Sequence, residues 1–567
     1  MSPPAEWSPA PRPEAAGVLE ESGLPAWLAA LLARRGVSSP EAADAFLHPE
    51  LAHLPDPFRL DGMEAAVERL LAARERGERV AIVGDYDVDG VSATALLAAV
   101  FRACGMEVVT ILPHRLREGY GFQPTHVEAA RRQGCRLVVT ADCGSNSQEA
   151  AREALRQGIG VIVTDHHLAS RPLPARVIEI NPRRELSSYP FRDLSGSGLA
   201  FKLASALAQR AGRPVDPIAL LRIACLGTIC DMVPLLGENR VIAALGLAAL
   251  PETPSPGLRA LFRQAALRPP ISAADVGFRL GPRLNAPGRV ADPQRALELL
   301  LTRNPEEAER LAGVLEACNR ERQAAENRVV EEARQRLADL ESLPAILVEW
   351  DEGWHQGVVG IAASRIAREF QRPTILLSVQ GATATGSGRS IRGVHLHRFL
   401  AGWAEELERF GGHARAVGLS VASERLERLR RAWCEAAGTW DDELFRRRLE
   451  YELAPRPEEV TAELLAALQR LEPFGSGNSQ PLLKVAPLRL EGRPRRFGRE
   501  ERHAAAGSRS PDGQPVQLLG WGWGDRLLEL SGWFEALGYL ECDRYREAPV
   551  LRLVDTRPAA RRMTRDG

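Results

Sequence analysis

Carboxylates and imidazoles gather in four short stretches of this chain. GDYDVDG carries Asp85, Asp87 and Asp89 at every second position, TADCG carries Asp142, TDHH carries Asp165, His166 and His167, and CDMVPL carries Asp231. If the backbone stays extended through the first stretch, alternation puts its three aspartates on one side. Carboxylates forced together repel unless cations neutralise them. Oxygen and imidazole donors without thiolate suit Mn2+ or Mg2+ better than structural zinc. A carboxylate shared by two such ions holds them ~3.5–4 Å apart, the arrangement that lowers the pKa of a water and steadies the attacking and leaving oxygens of phosphoryl transfer. Each stretch alone has a plainer reading, since an Asp after a strand is commonly an Asx turn or a helix N-cap. A calcium loop is excluded for the first stretch, because loop position twelve is Leu96 rather than a bidentate Glu.

The elements that must carry these residues follow from periodicity. Short apolar runs at RVAIVG (79–84), EVVTILP (107–113), CRLVVTA (135–141), GVIVT (160–164) and ARVIEI (175–180) alternate with amphipathic stretches such as VSATALLAAVFRACG. Buried strands joined by helices predict an α/β, doubly wound parallel sheet. Ligands of such sheets bind beyond the carboxyl ends of the strands, where these residues fall. Residues 24–74 read as a helical preamble, and residues 1–17, rich in Pro and Ala, as disordered. A helical region leads into one long charged helix over 305–340, which connects to a second α/β domain. Short strands and turns from about Pro481 onward predict an OB-like β-barrel. The resulting division is 1–75, 76–240, 241–343, 344–460 and 461–567.

At 567 residues the chain needs several cores. Its formal net charge of -1 excludes a wholly basic nucleic-acid binder, so any such surface is a local patch. All 73 basic side chains except Lys202 and Lys484 are arginine, a bias spread too evenly to mark a site. Eight scattered cysteines form no C-x-x-C pair, which argues against a zinc knuckle, and no disulfide framework, which fits a reducing cytoplasm. No stretch is apolar enough to span a membrane, so a cytoplasmic protein is expected.

In order and spacing, the four stretches resemble the motifs of the DHH phosphoesterase family. The resemblance implies that Asp85, Asp87, Asp142, His166 and Asp231 are metal ligands for two ions, Mn2+ or Mg2+, with Asp142 as the bridge. It also implies that His167 faces the scissile phosphate while Asp89 and Asp165 support the site. Some relatives have a histidine four residues before the first aspartate, where this chain has Ala81. GWHQGVVGIAASR, GSGRS and GGHARAVG are similar to the DHH-associated domain. By that likeness Ser387 and Arg389 hold a terminal phosphate of the substrate, and His413 reaches the active site. The small residues and backbone N–H groups of GSGRS also suggest a phosphate cradle. GPRLNAPGR places Arg283, Asn285 and Arg289 close together and is similar to a segment of the family's exonuclease branch, a likeness that assigns these residues to backbone phosphates.

Length, the LEPFGSGNSQP bridge and the barrel favour the family's exonuclease branch, specific for single-stranded DNA. The resemblance implies 5′→3′ hydrolysis of strands with a 5′-phosphorylated end to nucleoside 5′-monophosphates, in DNA repair and recombination. A helicase or single-strand-binding protein is the further partner expected, and the chain is expected to act as a monomer. The alternatives are a phosphodiesterase of cyclic dinucleotides or very short oligonucleotides, and a catalytically silent DNA-binding scaffold. In the barrel, RPRRFGRE offers Arg493, Arg495, Arg496 and Arg499 around Phe497 for backbone and base, whereas Trp521 and Trp523 are expected to pack in the core.

Overall fold

The computed structural model describes residues 5–114, 118–119, 121–543 and 547–559. The described residues form two compact units: one holds those of 55–233 and 245–447, the other those of 5–54, 234–244 and 448–559.

In the first unit, five parallel strands run in the order Val108–Ile111, Arg79–Gly84, Cys135–Ala141, Gly160–Thr164, Ile178–Ile180. This is a doubly wound order, and its switch point lies between the second and third of these neighbours. The strands are continuous apolar runs because helices cover both faces. Ala81, Val83, Val138, Val161 and Val163 pack in one cluster with Val127 and Ala130 of the helix Pro124–Arg132 and with Ala150 and Ala154 of the helix Gln148–Arg156. The helices Val88–Ala103, Gly196–Arg210 and Pro217–Cys230 pack on one another elsewhere in this unit. The long helix spans Pro305–Ala338 and packs on the helix Gln356–Phe370 of the second lobe. That lobe is a mixed sheet ordered Arg409–His413, Ala416–Ala422, Thr383–Arg389, Thr374–Gln380, Leu347–Asp351, with Trp433 and Trp354 buried in separate clusters.

The second unit is built on a closed barrel of the strands Leu483–Phe497, His503–Arg509, Pro515–Gly520, Ala548–Pro558 and Phe534–Asp543, the OB order. The preamble is divided. The helices Ala26–Arg34 and Pro40–Leu47 share a core with the barrel, whereas the helix Met63–Glu75 belongs to the first unit.

The expected disorder of the N-terminal tail is corrected for residues 5–17; residues 1–4 lie outside the described residues. Glu6–Pro9 forms a strand parallel to Arg448–Tyr451, and the Trp7 indole N–H donates to Asp555 at 2.9 Å. Composition missed this because these partners lie at the far end of the chain.

Candidate metal centre

The parallel ladder runs one residue past each strand end, and this lines up the acidic residues. The N–H of Asp85 donates to Ala141 O (3.2 Å), that of Asp142 to Thr164 O (3.0 Å) and that of Asp165 to Ile180 O (3.2 Å). Asp142 adopts a left-handed φ of 65° there, a conformation that a β-branched residue tolerates poorly but Asp accepts.

The first stretch does not continue extended. Its strand stops at Gly84, and Asp87 caps the next helix, accepting the N–H of Asp89 (2.9 Å) and of Gly90 (3.1 Å). The expected alternation of three aspartates on one side is therefore wrong for Asp89, which lies in the first helical turn. Its carboxylate takes the N–H groups of Gly196 (2.7 Å) and Ser197 (2.8 Å) at the start of the helix Gly196–Arg210. An N-terminal helix end welcomes a carboxylate. Gly227 leaves the room this needs, since a Cβ there would sit 2.3 Å from Asp89 Oδ1.

The donors converge. His166 Nε2 lies 3.1 Å from Asp142 Oδ1, 3.6 Å from Asp231 Oδ2 and 4.0 Å from Asp89 Oδ2. Asp85, Asp87 and Asp142 each bring an oxygen within 4.8 Å of the others, and Asp142 also groups with His166 and His167. Asp142 is thus common to two sets. Asp231 joins them as the residue that ends the helix Pro217–Cys230.

Electrostatics show what such crowding demands. Burial, then the neighbouring aspartates, pushes Asp231 up to about 9 and Asp142 well above the carboxylate range. Burial lowers His166 to about 3, so its imidazole is neutral. Asp142 Oδ1 and His166 Nε2 are buried and, although 3.1 Å apart, neither makes a hydrogen bond of acceptable geometry. Lone pairs of a neutral imidazole and several carboxylates that face one another in this way suit divalent cations.

A different carboxylate positions His167. Asp165 accepts the backbone N–H of His166 (2.7 Å), of His167 (3.0 Å) and of Ser145 (2.9 Å), and its Oδ1 lies 2.7 Å from His167 Nδ1. Burial would lower the pKa of His167, but the Asp165 carboxylate outweighs it and raises it. Sequence reasoning missed the groups behind this pair. Asn181 donates to Ser145 Oγ (2.8 Å) and to the His167 carbonyl (2.9 Å), and beside the helix start that Asp89 holds, Ser195 pairs with Thr228 at 2.8 Å. The SGSG run at 195–198, a helix start rich in glycine, was the available signal for a tight approach.

The remaining expected residues fall in three places. Ser387 and Arg389 sit on the strand Thr383–Arg389, close against Gly360, where a Cβ would lie 3.1 Å from Ser387 Oγ and 3.0 Å from Arg389 Nη2. That strand is paired on both sides, so its backbone N–H groups belong to the sheet. The backbone cradle expected of GSGRS is corrected accordingly, and only the Ser387 and Arg389 side chains remain for a phosphate. Gly386 and Gly388 answer to packing, with Cβ positions 2.2 Å from Leu376 O and 2.6 Å from Val417. Arg283 is bound to Glu316 of the long helix (2.6 Å), Asn285 has a buried Oδ1 without a hydrogen-bond donor, and Arg289 reaches Gly357 O (3.2 Å). His413 ends an edge strand with an exposed side chain that, among the described residues, forms no hydrogen bond or ion pair with the cluster.

In the barrel unit, Trp523 is buried but Trp521 is 54 % exposed, which corrects the expectation that both pack in the core. Its ring meets His503 (4.8 Å) and Phe497 (5.7 Å), and the Arg495 guanidinium lies 5.6 Å from the Phe497 ring centre. Arg496 is taken up by Glu501 and Asp525.

Comparison with known proteins agrees across the chain. Residues 79–228 match the DHH family N-terminal domain, residues 343–439 the DHHA1 domain and residues 451–554 the RecJ OB domain. The chain is 39% identical over 460 residues to the single-stranded-DNA-specific exonuclease RecJ of Dickeya dadantii, covering 76% of this chain and 78% of that one. It is 35% identical over 509 residues to the Bacillus subtilis protein of the same name, covering 88% of this chain but 63% of that one's length. The crystal structure of RecJ from Thermus thermophilus in complex with Mn2+ matches with a TM-score of 0.81 at 31% identity, over 98% of this chain and 80% of that one.

Proposed function

The chain belongs to the RecJ family of single-stranded-DNA-specific exonucleases, within the DHH phosphoesterases, and from that premise we propose that it is a two-metal-dependent 5′→3′ exonuclease that degrades single-stranded DNA to nucleoside 5′-monophosphates. The observation that carries the reading is the meeting of buried Asp85, Asp142 and His166 from three strand ends with half-buried Asp87 and Asp231 from two helix ends.

These five residues would hold the ions, Mn2+ or Mg2+, with Asp142 shared between them. When bound, the ions supply Lewis-acid charge that activates water and stabilises a five-coordinate phosphate. The chain's own residues do the rest. Asp165, whose Oδ1 lies 2.7 Å from His167 Nδ1, orients the imidazole and favours its charged form, so that His167 would face a non-bridging oxygen of the scissile phosphate. Asp89 holds the start of the helix Gly196–Arg210 against the cluster and so positions the wall beside Asp142. Ser387 and Arg389 would take the 5′-terminal phosphate, with Asn285 and Arg289 on the following backbone. Arg283 is held by Glu316 and is assigned to scaffold. In the barrel, Phe497 and His503 at the turn between the first two strands and Trp521 after the third, with Arg495 beside them, form an aromatic surface that suits stacked bases of a single strand. The 5′→3′ direction rests on family membership.

Eight free cysteines fit a cytoplasmic location, and among the described residues no helix is long and apolar enough to cross a membrane. Action as a monomer and association with a helicase or single-strand-binding protein belong to the same proposal. A time course with Mn2+ on one oligonucleotide, labelled at the 5′ end and separately at the 3′ end, tests it. Immediate release of labelled mononucleotide from the 5′ end alone is expected. Cleavage confined to dinucleotides, or release from the 3′ end, would overturn it.

A further inference from the structure

The strands that end at the metal centre begin at a second polar site. An open hollow of 760 Å³ lies at the amino ends of the strands Arg79–Gly84 and Cys135–Ala141. Arg69, Arg76, Arg79 and Arg136 line it together with Glu78 and Glu107, and three glycines complete its wall. Four guanidinium groups against two carboxylates leave a surplus of two positive charges, in a chain whose net charge is -1. One strand length, about 20 Å, separates Arg79 from Asp85.

Helix dipoles explain only part of this cluster. The helices Met63–Glu75, Pro124–Arg132 and Gln148–Arg156 each end two residues before a glycine of the hollow, and helix C-termini favour cations. That accounts for Arg76, which caps the first of them. It does not account for Arg69, in mid-helix, or for Arg79 and Arg136, which are on strands. Arg69 is bound to Glu78 at 2.6 Å and lies along the backbone of Gly160, where a Cβ would be 3.4 Å from its Nε. Arg79 is paired with Glu107 and donates to Gln133 O at 2.6 Å. Arg136 is there because the ladder is irregular. Arg79 is in register with Cys135 but Val80 with Leu137, so Arg136 bulges from an otherwise buried strand. Bulges are rare between parallel strands, and they re-aim side chains next to working sites. Arg136 is exposed and, among the described residues, has no hydrogen bond or ion pair. Arg69 keeps a buried N–H, on Nη1, without an acceptor. The cluster thus holds charge and donors that its own carboxylates leave unsatisfied.

We propose that this hollow binds a phosphate monoester of nucleotide size, at a site separate from the metal centre. Guanidinium forks match phosphate oxygens. A monoester carries roughly two negative charges at neutral pH, which equals the surplus here. The volume falls within the range of small-ligand sites, about 300–1,000 Å³, and leaves room for a nucleoside beside the phosphate. The inference goes beyond the nuclease reading and does not depend on it, although that reaction would release molecules of this class.

Calorimetry of the full chain without divalent metal tests it, with deoxyadenosine 5′-monophosphate, inorganic phosphate and deoxyadenosine as probes. Saturable binding of the nucleotide is expected, and it should persist in Arg389→Ala. Inorganic phosphate should compete more weakly, and deoxyadenosine should not bind. Arg76→Ala combined with Arg136→Ala should weaken nucleotide binding about tenfold or more, the effect of losing a charge-assisted hydrogen bond. Both arginines are exposed, so the melting temperature, and strand hydrolysis without added nucleotide, should not change. No saturable binding overturns the site, as does binding that Arg389→Ala abolishes and the double variant leaves intact. Equal affinity for nucleotide and inorganic phosphate would overturn the nucleoside's part. Displacement of the nucleotide from the Arg389→Ala protein by a 5′-hydroxyl single strand would overturn the small-molecule assignment in favour of a backbone track.

Discussion

Gly196→Ala is the sharpest perturbation the metal centre offers. Gly196 is the first residue of its helix and does not use a positive φ, so alanine is conformationally welcome there. Space alone forbids it. The new methyl group would lie 2.5 Å from both Cβ and Oδ1 of Asp142. Ordinary contacts are about 3.5–4.0 Å, so Asp142 or the helix start must move by roughly 1 Å. A displacement of that size at reacting groups costs on the order of 100-fold in rate. Asp142 is also the carboxylate common to two donor sets, so Mn2+ should bind more weakly as well. The assay is initial rate on a 5′-labelled single strand across a Mn2+ titration. Gly313→Ala on the long helix, where nothing lies within 4 Å, serves as the neutral control. A Gly196→Ala protein with normal rate and normal Mn2+ dependence would refute the claim that Asp142 is locked in place by this approach.

Three further outcomes follow from the same geometry. Asp165→Asn should lower the pKa of His167 and cut kcat about 10–100-fold while Mn2+ affinity is retained, checked by pH–rate profiles and metal titration. The metal-free protein should lose stability as pH rises from 6.5 toward 9. Asp231, raised to about 9, binds a proton in the folded state that the unfolded chain has already released, and such stability disappears as pH climbs. His166, lowered to about 3, has its compensating effect only below 6.5, so stabilisation by Mg2+ should grow across that window, and a flat Mg2+-induced melting shift would contradict it. Arg389→Ala should slow degradation of 5′-phosphorylated strands about tenfold or more yet leave 5′-hydroxyl strands and Mn2+ binding nearly unaffected, since its guanidinium lies outside the cluster.

The parallel sheet, the long helix and the barrel were legible in the linear pattern because each depends on local periodicity. A strand buried on both faces must be apolar throughout, and Arg79–Gly84, Cys135–Ala141 and Gly160–Thr164 are. The acidic residues at their ends were legible for the same reason, because a residue that follows a strand has a known edge to occupy. What periodicity could not reach were the consequences of where chain segments meet. Asp89 became a clamp on the start of a helix 107 residues away, a role set by the packing of that helix against its own. The glycines of GSGRS turned out to serve a central strand, and Arg283 was claimed by Glu316 on the long helix. Trp521 faces solvent while Trp523, two residues on, is buried, a choice made where the strand Pro515–Gly520 ends and alternation no longer applies. Sequence determined which side chains could do chemistry and which elements would carry them. Only tertiary structure decided which atoms face one another, because burial, repulsion and close approach act between residues that the chain order keeps far apart.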